Sequence, residues 1–198
     1  MNPNHMPTMH KEFSAWKKSL SAEVQKQNSG MLNLLNRFQY RYRMTKAFET
    51  IVAVDVEKRT VDGYACGMKL FMAYSAYDEI RTAEKILENI EHSLTHAHRD
   101  EVLARKIREN EKMKELLLET LTLEGEGLRK VLRGLYQGRN NEIMCFATCV
   151  RHCFVHGDFT TARSGLTNKK RIAVVNEVTD VVLKVGDGIF SAIIQAQR

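Results

Sequence analysis

Proline is nearly absent: Pro3 and Pro7 are the only two in 198 residues, so after residue 7 no missing amide or ring clash forbids a helix. Long apolar runs are absent as well, and no stretch approaches the roughly 20 residues that a membrane span requires. The opening segment Met1-Asn2-Pro3-Asn4-His5-Met6-Pro7 lacks the basic stretch and apolar run of an export signal, and a cytoplasmic protein is expected. Cysteine is scarce. Three of the four, Cys145, Cys149 and Cys153, recur at intervals of four in one segment, with Cys66 far away, and that spacing argues against a disulfide framework.

What is present is a globular composition. With 43% hydrophobic and 27% charged residues in 198, the chain can build one real core, and it suits one ordinary domain better than two small ones. A single helical domain over 1–198 is expected, with 1–9 as a flexible tail. A net charge of +6 and a pI near 9.2 favour a polyanionic partner such as nucleic acid. An ordinary surplus of lysine and arginine explains the same numbers.

Apolar residues recur with a period near 3.6. Phe13, Trp16, Leu20 and Val24, then Leu32, Leu35, Phe38, Tyr42, Ala47 and Ile51, predict two helices separated at Ser29-Gly30. Cys66, Leu70, Tyr74, Tyr77, Ile80, Ala83, Ile86, Leu87, Ile90 and Leu94 predict a long core helix. Between them, Val52, Val54 and Val56 alternate and Val61-Asp62-Gly63 resembles a turn; a helix end plus loop is preferred over a hairpin, because two isolated strands bury little. After a break at His96–Asp100, Val102 to Leu121 reads as a further helix ending near Gly125 and Gly127, and Leu128 to Leu135 as a brief one. Asn140 or Asn141 is suited to cap Glu142–Val155, Gly157 to stop it, and a last helix follows Asn168. The expected class is all-α: a bundle of about five to seven helices with long core helices.

One segment is polar where its surroundings are apolar. Residues 151–156 read Arg-His-Cys-Phe-Val-His at the end of the predicted helix. His152 and His156 are i and i+4 neighbours, with Arg151 on the adjacent flank near Thr148, so all three can face a common cleft. The spacing of arginine, polar residue, three residues and histidine resembles the mark of the HEPN superfamily. The resemblance covers this motif, the helical architecture and the motif's place ahead of one long final helix. It implies a homodimer in which two motifs meet to form a metal-independent endoribonuclease site, with no cofactor.

The roles implied can be stated chemically. RNA carries its own nucleophile in the ribose 2′-hydroxyl, so the protein need only move protons and steady charge. His156 would exchange the proton, Arg151 would stabilise the transition-state phosphate with its fork of donors, and His152 would orient Arg151 or bind the scissile phosphate. The product would be a 2′,3′-cyclic phosphate. A toxin or defence role, with an antitoxin partner, follows from family analogy. A non-catalytic RNA-binding or protein-interaction module is the alternative.

Other residues admit two readings. Cys145, Cys149, His152, Cys153 and His156 share a helical face and offer soft ligands to zinc, but no second ligand pair is evident apart from the distant His92, His96 and His98, so packing is preferred and no metal is expected. The three distant histidines read as a solvated face. Arg129, Lys130, Arg133 and Arg139 before the motif, and Arg163, Lys169, Lys170 and Arg171 after it, form either an RNA-backbone track, for which the second group is the chosen set, or solvated helix faces.

Overall fold

The computed structural model describes residues 5–88, 98–120 and 126–197, and every named element among them is an α-helix. The expected all-α class is therefore observed. No strand occurs among the described residues; an isolated bridge joins Arg99 and Glu142. Ile90, His92, Leu94, His96, Leu121 and Gly125 lie outside the described residues. Among those that are described, no helix is long and apolar enough to cross a membrane. The chain divides into two compact units, each discontinuous in sequence.

The first unit takes Met1–Phe48, Ser75–Thr95 and Leu183–Arg198. It holds α1 (His10–Ser19), α2 (Ala22–Gln27), α3 (Ser29–Ala47), and the later parts of α4 (Lys58–Glu88) and α10 (Lys169–Ala196). The predicted pair of N-terminal helices is in fact three. Ser21 caps α2 by accepting the Val24 amide at 3.3 Å, whereas Ser29 and Gly30 fall inside the first turn of α3. A serine hydroxyl that satisfies an orphan amide ends one helix and starts the next more effectively than an exposed glycine breaks one. The core is aromatic: Phe190 lies 5.7 Å from Phe13 and 5.1 Å from Phe38, each ring contributing about 1.5–3 kcal/mol by burial. Gly186 permits this, since a Cβ there would stand 3.1 Å from the Phe38 ring. Pro7 is buried, and Thr8 donates its amide and hydroxyl to Asp187 at 2.8 and 2.5 Å.

The second unit takes Glu49–Tyr74 and His96–Val182. It holds the first parts of α4 and α10, with α5 (Glu101–Arg108), α6 (Glu111–Thr120), α7 (Glu126–Tyr136), α8 (Ile143–Val155) and α9 (Thr161–Ser164) between them. Val61-Asp62-Gly63 lies within α4 and is not a turn. A Cβ on Gly63 would run into the Leu166 carbonyl and the Thr161 methyl group, so this glycine serves close packing, a use that local turn chemistry does not reveal. Val52 and Val54 remain 94% and 81% exposed in a loop, as alternation without a partner strand predicts. The expected helix from Val102 is broken between α5 and α6 by buried Asn110, whose side chain accepts the Met113 amide at 3.3 Å and donates to the Ser164 carbonyl at 3.2 Å. Gly127, expected as a stop, stands in the first turn of α7.

Candidate functional site

α8 begins on tethers from the chain before α5. The Ile143 amide donates to the His98 carbonyl at 2.9 Å, Arg99 Nε meets Glu142 Oε1 at 2.7 Å, and Asn140 Oδ1 accepts the Glu142 amide at 3.2 Å. Asn140 thus steadies the entry, while Glu142 holds the cap position with its side chain on Arg99 and not on the helix amides. The exit is set by Gly157 at φ +77°, a left-handed conformation that favours glycine. The chain then folds back, with the Gly157 amide on the Phe154 carbonyl at 3.4 Å and the Phe159 amide on the Cys153 carbonyl at 3.2 Å. The end of α8 has a fixed shape.

On this end the rings of His152 and His156 lie 4.2 Å apart at 47°. His156 is exposed and His152 half-buried, so the pair is open to a ligand from one side. Arg151 is half-buried, with its Nε shielded from solvent and its guanidinium 5.7 Å from the centre of the Tyr74 ring, within the range of a cation–π contact. The Tyr74 hydroxyl lies 2.8 Å from Thr148 Oγ1. Since Thr148 gives its only proton to the Met144 carbonyl, at 2.8 Å, Tyr74 must be the donor of the pair. Thr148, Tyr74 and Arg151 thus form a chain from one turn of α8 through α4 to the motif. Tyr74 had been counted as core from its helical periodicity, and the only sequence clue to a second task was its hydroxyl.

The end of α8 also carries an aromatic stack that the sequence did not reveal. Phe154 stacks on Phe71 at 5.7 Å and 22° and meets Phe159 at 5.1 Å. A Cβ on Gly67 would approach the Phe159 ring at 2.8 Å and the Phe154 ring at 3.0 Å. Gly67 therefore lets α4 sit close under the turn that follows α8.

The cysteines go inward. Cys145, Cys149 and Cys153 are buried, Cys149 hydrogen-bonds Cys145, and burial pushes the Cys149 thiol up. The Tyr136 phenol lies beside these thiols and Glu111 and is likewise raised, chiefly by burial; its hydroxyl is enclosed without a hydrogen-bond partner among the described residues. Among the described residues no three histidine, cysteine or acidic side chains are placed to hold a metal.

The four cations chosen as RNA contacts have different surroundings. Arg163 is paired with Glu119 at 2.8 Å. Lys169 lines a cavity of about 440 Å³ of mixed charge, with Lys58, Lys69, Glu49 and Asp62. Lys170 is exposed and Arg171 half-buried, its guanidinium against Gly165. They do not share one partner-free surface. In comparisons with protein-family models, curated proteins and solved structures, nothing matches this chain.

Proposed function

We propose that the protein is a metal-independent endoribonuclease of the HEPN type, with Arg151, His152 and His156 as its site. The observation that carries the reading is the close pair of His152 and His156, open on one side, beside an arginine already oriented by Tyr74. The sequence motif supplies the family. His156, the more accessible imidazole, takes the 2′-hydroxyl proton or returns one to the leaving 5′-oxygen, and histidine exchanges protons near neutral pH. Arg151 stabilises charge on the phosphate, where a preoriented donor contributes most. His152 holds the phosphate or steadies its neighbour. The bond formed joins the 2′-oxygen to phosphorus, and the bond broken releases a 5′-hydroxyl.

The working unit is a homodimer in which two motifs complete one cleft, and exposed Val155, between the histidines in sequence, suits an interface position. The biological setting is cytoplasmic, as a toxin checked by an antitoxin protein or as a defence against foreign genetic elements. A non-catalytic RNA-binding or interaction module is the second reading, favoured by the engagement of Arg151 on Tyr74.

The test incubates mixed RNA with the protein in excess EDTA, beside Arg151→Ala and His156→Ala, and characterises the new ends. Cleavage that persists in EDTA, leaves cyclic phosphates and disappears in both variants is the expected result. Undiminished cleavage by His156→Ala removes the assignment, and a stable monomer at micromolar concentration by light scattering removes the composite site.

A further inference from the structure

Cations in the second unit are commonly neutralised by a named acid. Lys106 meets Glu177 at 2.7 Å, Arg108 meets Glu101 at 3.1 Å and Arg163 meets Glu119 at 2.8 Å. Among the described residues those around α7 are not. Arg129, Lys130 and Arg133 of α7, with Arg139 just beyond it, line one cavity of about 640 Å³ together with Gly127. None has an acidic partner among the described residues; Arg139 donates only to the Gln137 amide oxygen. Arg129 Nε is shielded from water and has no hydrogen-bond partner among the described residues. A buried donor left unmatched is costly.

Two further features make the arrangement unfavourable in itself. Like charges repel around a shared cavity, and Arg129 closes the first turn of α7 (Glu126–Tyr136), the positive end of a helix dipole, where a cation is disfavoured. An anion in the cavity offsets both effects, since it meets the cations beside the start of the helix. Guanidinium forks suit phosphate oxygens. The described lining holds no aromatic ring on which a base would stack, so the ligand is gripped by its phosphates.

We propose that this cavity binds consecutive phosphate groups, supplied by a single-stranded nucleic-acid backbone or by a free oligophosphate. It is separate from the histidine pair. The Leu128 carbonyl of α7 lies 3.8 Å from Cys145 Sγ, and from Cys145 to His156 α8 advances about 16 Å. The proposal does not rest on ribonuclease activity.

The test measures binding of a short fluorescent single-stranded deoxyoligonucleotide, which has no 2′-hydroxyl and so reports phosphate contact whatever the fate of the cleavage reading. Arg129→Gln/Arg133→Gln is expected to weaken binding about tenfold or more and to lower the salt slope by about 1.4, near 0.7 per lost phosphate contact. Lys106→Gln, at a paired cation, leaves both unchanged. If melting shows that the α7 pair is misfolded, Lys130→Gln/Arg139→Gln, at two exposed positions, gives the same comparison. Inorganic tripolyphosphate is the competitor: displacement only at high concentration identifies a nucleic-acid backbone site, and tighter binding than the strand identifies a free oligophosphate. Failure of both probes to bind, or equal affinity in the folded double variant, overturns the proposal.

Discussion

From Ile143 to Val150, α8 is buried at every position except half-buried Thr148, whereas its last turn leaves His152 half-buried and Val155 and His156 exposed, with only Cys153 fully covered. The first stretch is held by packing, the second by a glycine turn, a tyrosine and an aromatic stack. A protein that needed α8 only for its core would gain little from an arginine and two histidines there, since such groups are costly to bury unless they are paired. The contrast separates what the helix contributes to stability from what its end offers to a ligand.

The contrast is broken most severely in the core. Phe146→Ala, at a position 1% exposed, is expected to cost about 3–5 kcal/mol, a large part of an ordinary domain's stability, read as a fall in the denaturant midpoint. Equal midpoints for this variant and the wild type would mean that α8 is not the packed element described.

A smaller effect sharpens the boundary between the two halves. Tyr74→Phe removes the bond to Thr148 and is expected to cost about 1 kcal/mol, while keeping the ring under Arg151. Tyr74→Leu removes both. If Tyr74 positions Arg151, the leucine variant loses cleavage turnover well beyond the phenylalanine variant with little change in KM, and equal losses in the two would make Tyr74 purely structural.

The smallest effect lies in the same unit, at the residue before Gly67 in α4. Burial pushes the Cys66 thiol from 9.0 up to about 12, so the folded state keeps its proton where the unfolded chain gives it up. Stability from this group is complete below pH 9.0 and is lost as pH rises toward about 12. Cys66→Ala is expected to flatten that part of the alkaline stability profile, and an unchanged profile would contradict it.

Much of the fold was legible because helix periodicity survives translation into packing: Phe38, Leu70 and Ile80 are all buried as their spacing implied. The breaks were less legible. Ser21 and Asn110 start new helices through side-chain hydrogen bonds to the amides that follow, and the packing that places Gly63 within a helix against Leu166 arises between elements distant in sequence. The candidate site shows the same division. The adjacency of His152 and His156 follows from i, i+4 geometry, but the partner of Arg151 came from another helix, and nothing in the spacing of Arg129, Lys130 and Arg133 announced that these cations have no acidic partner among the described residues while Arg163 has one.

The most direct test of the account takes a single preparation of His156→Ala and measures both its melting temperature and its RNA cleavage in EDTA. The account predicts a melting temperature close to that of the wild type, because an exposed side chain contributes within about 0.5 kcal/mol, together with loss of cleavage. Wild-type cleavage by the folded variant would contradict it.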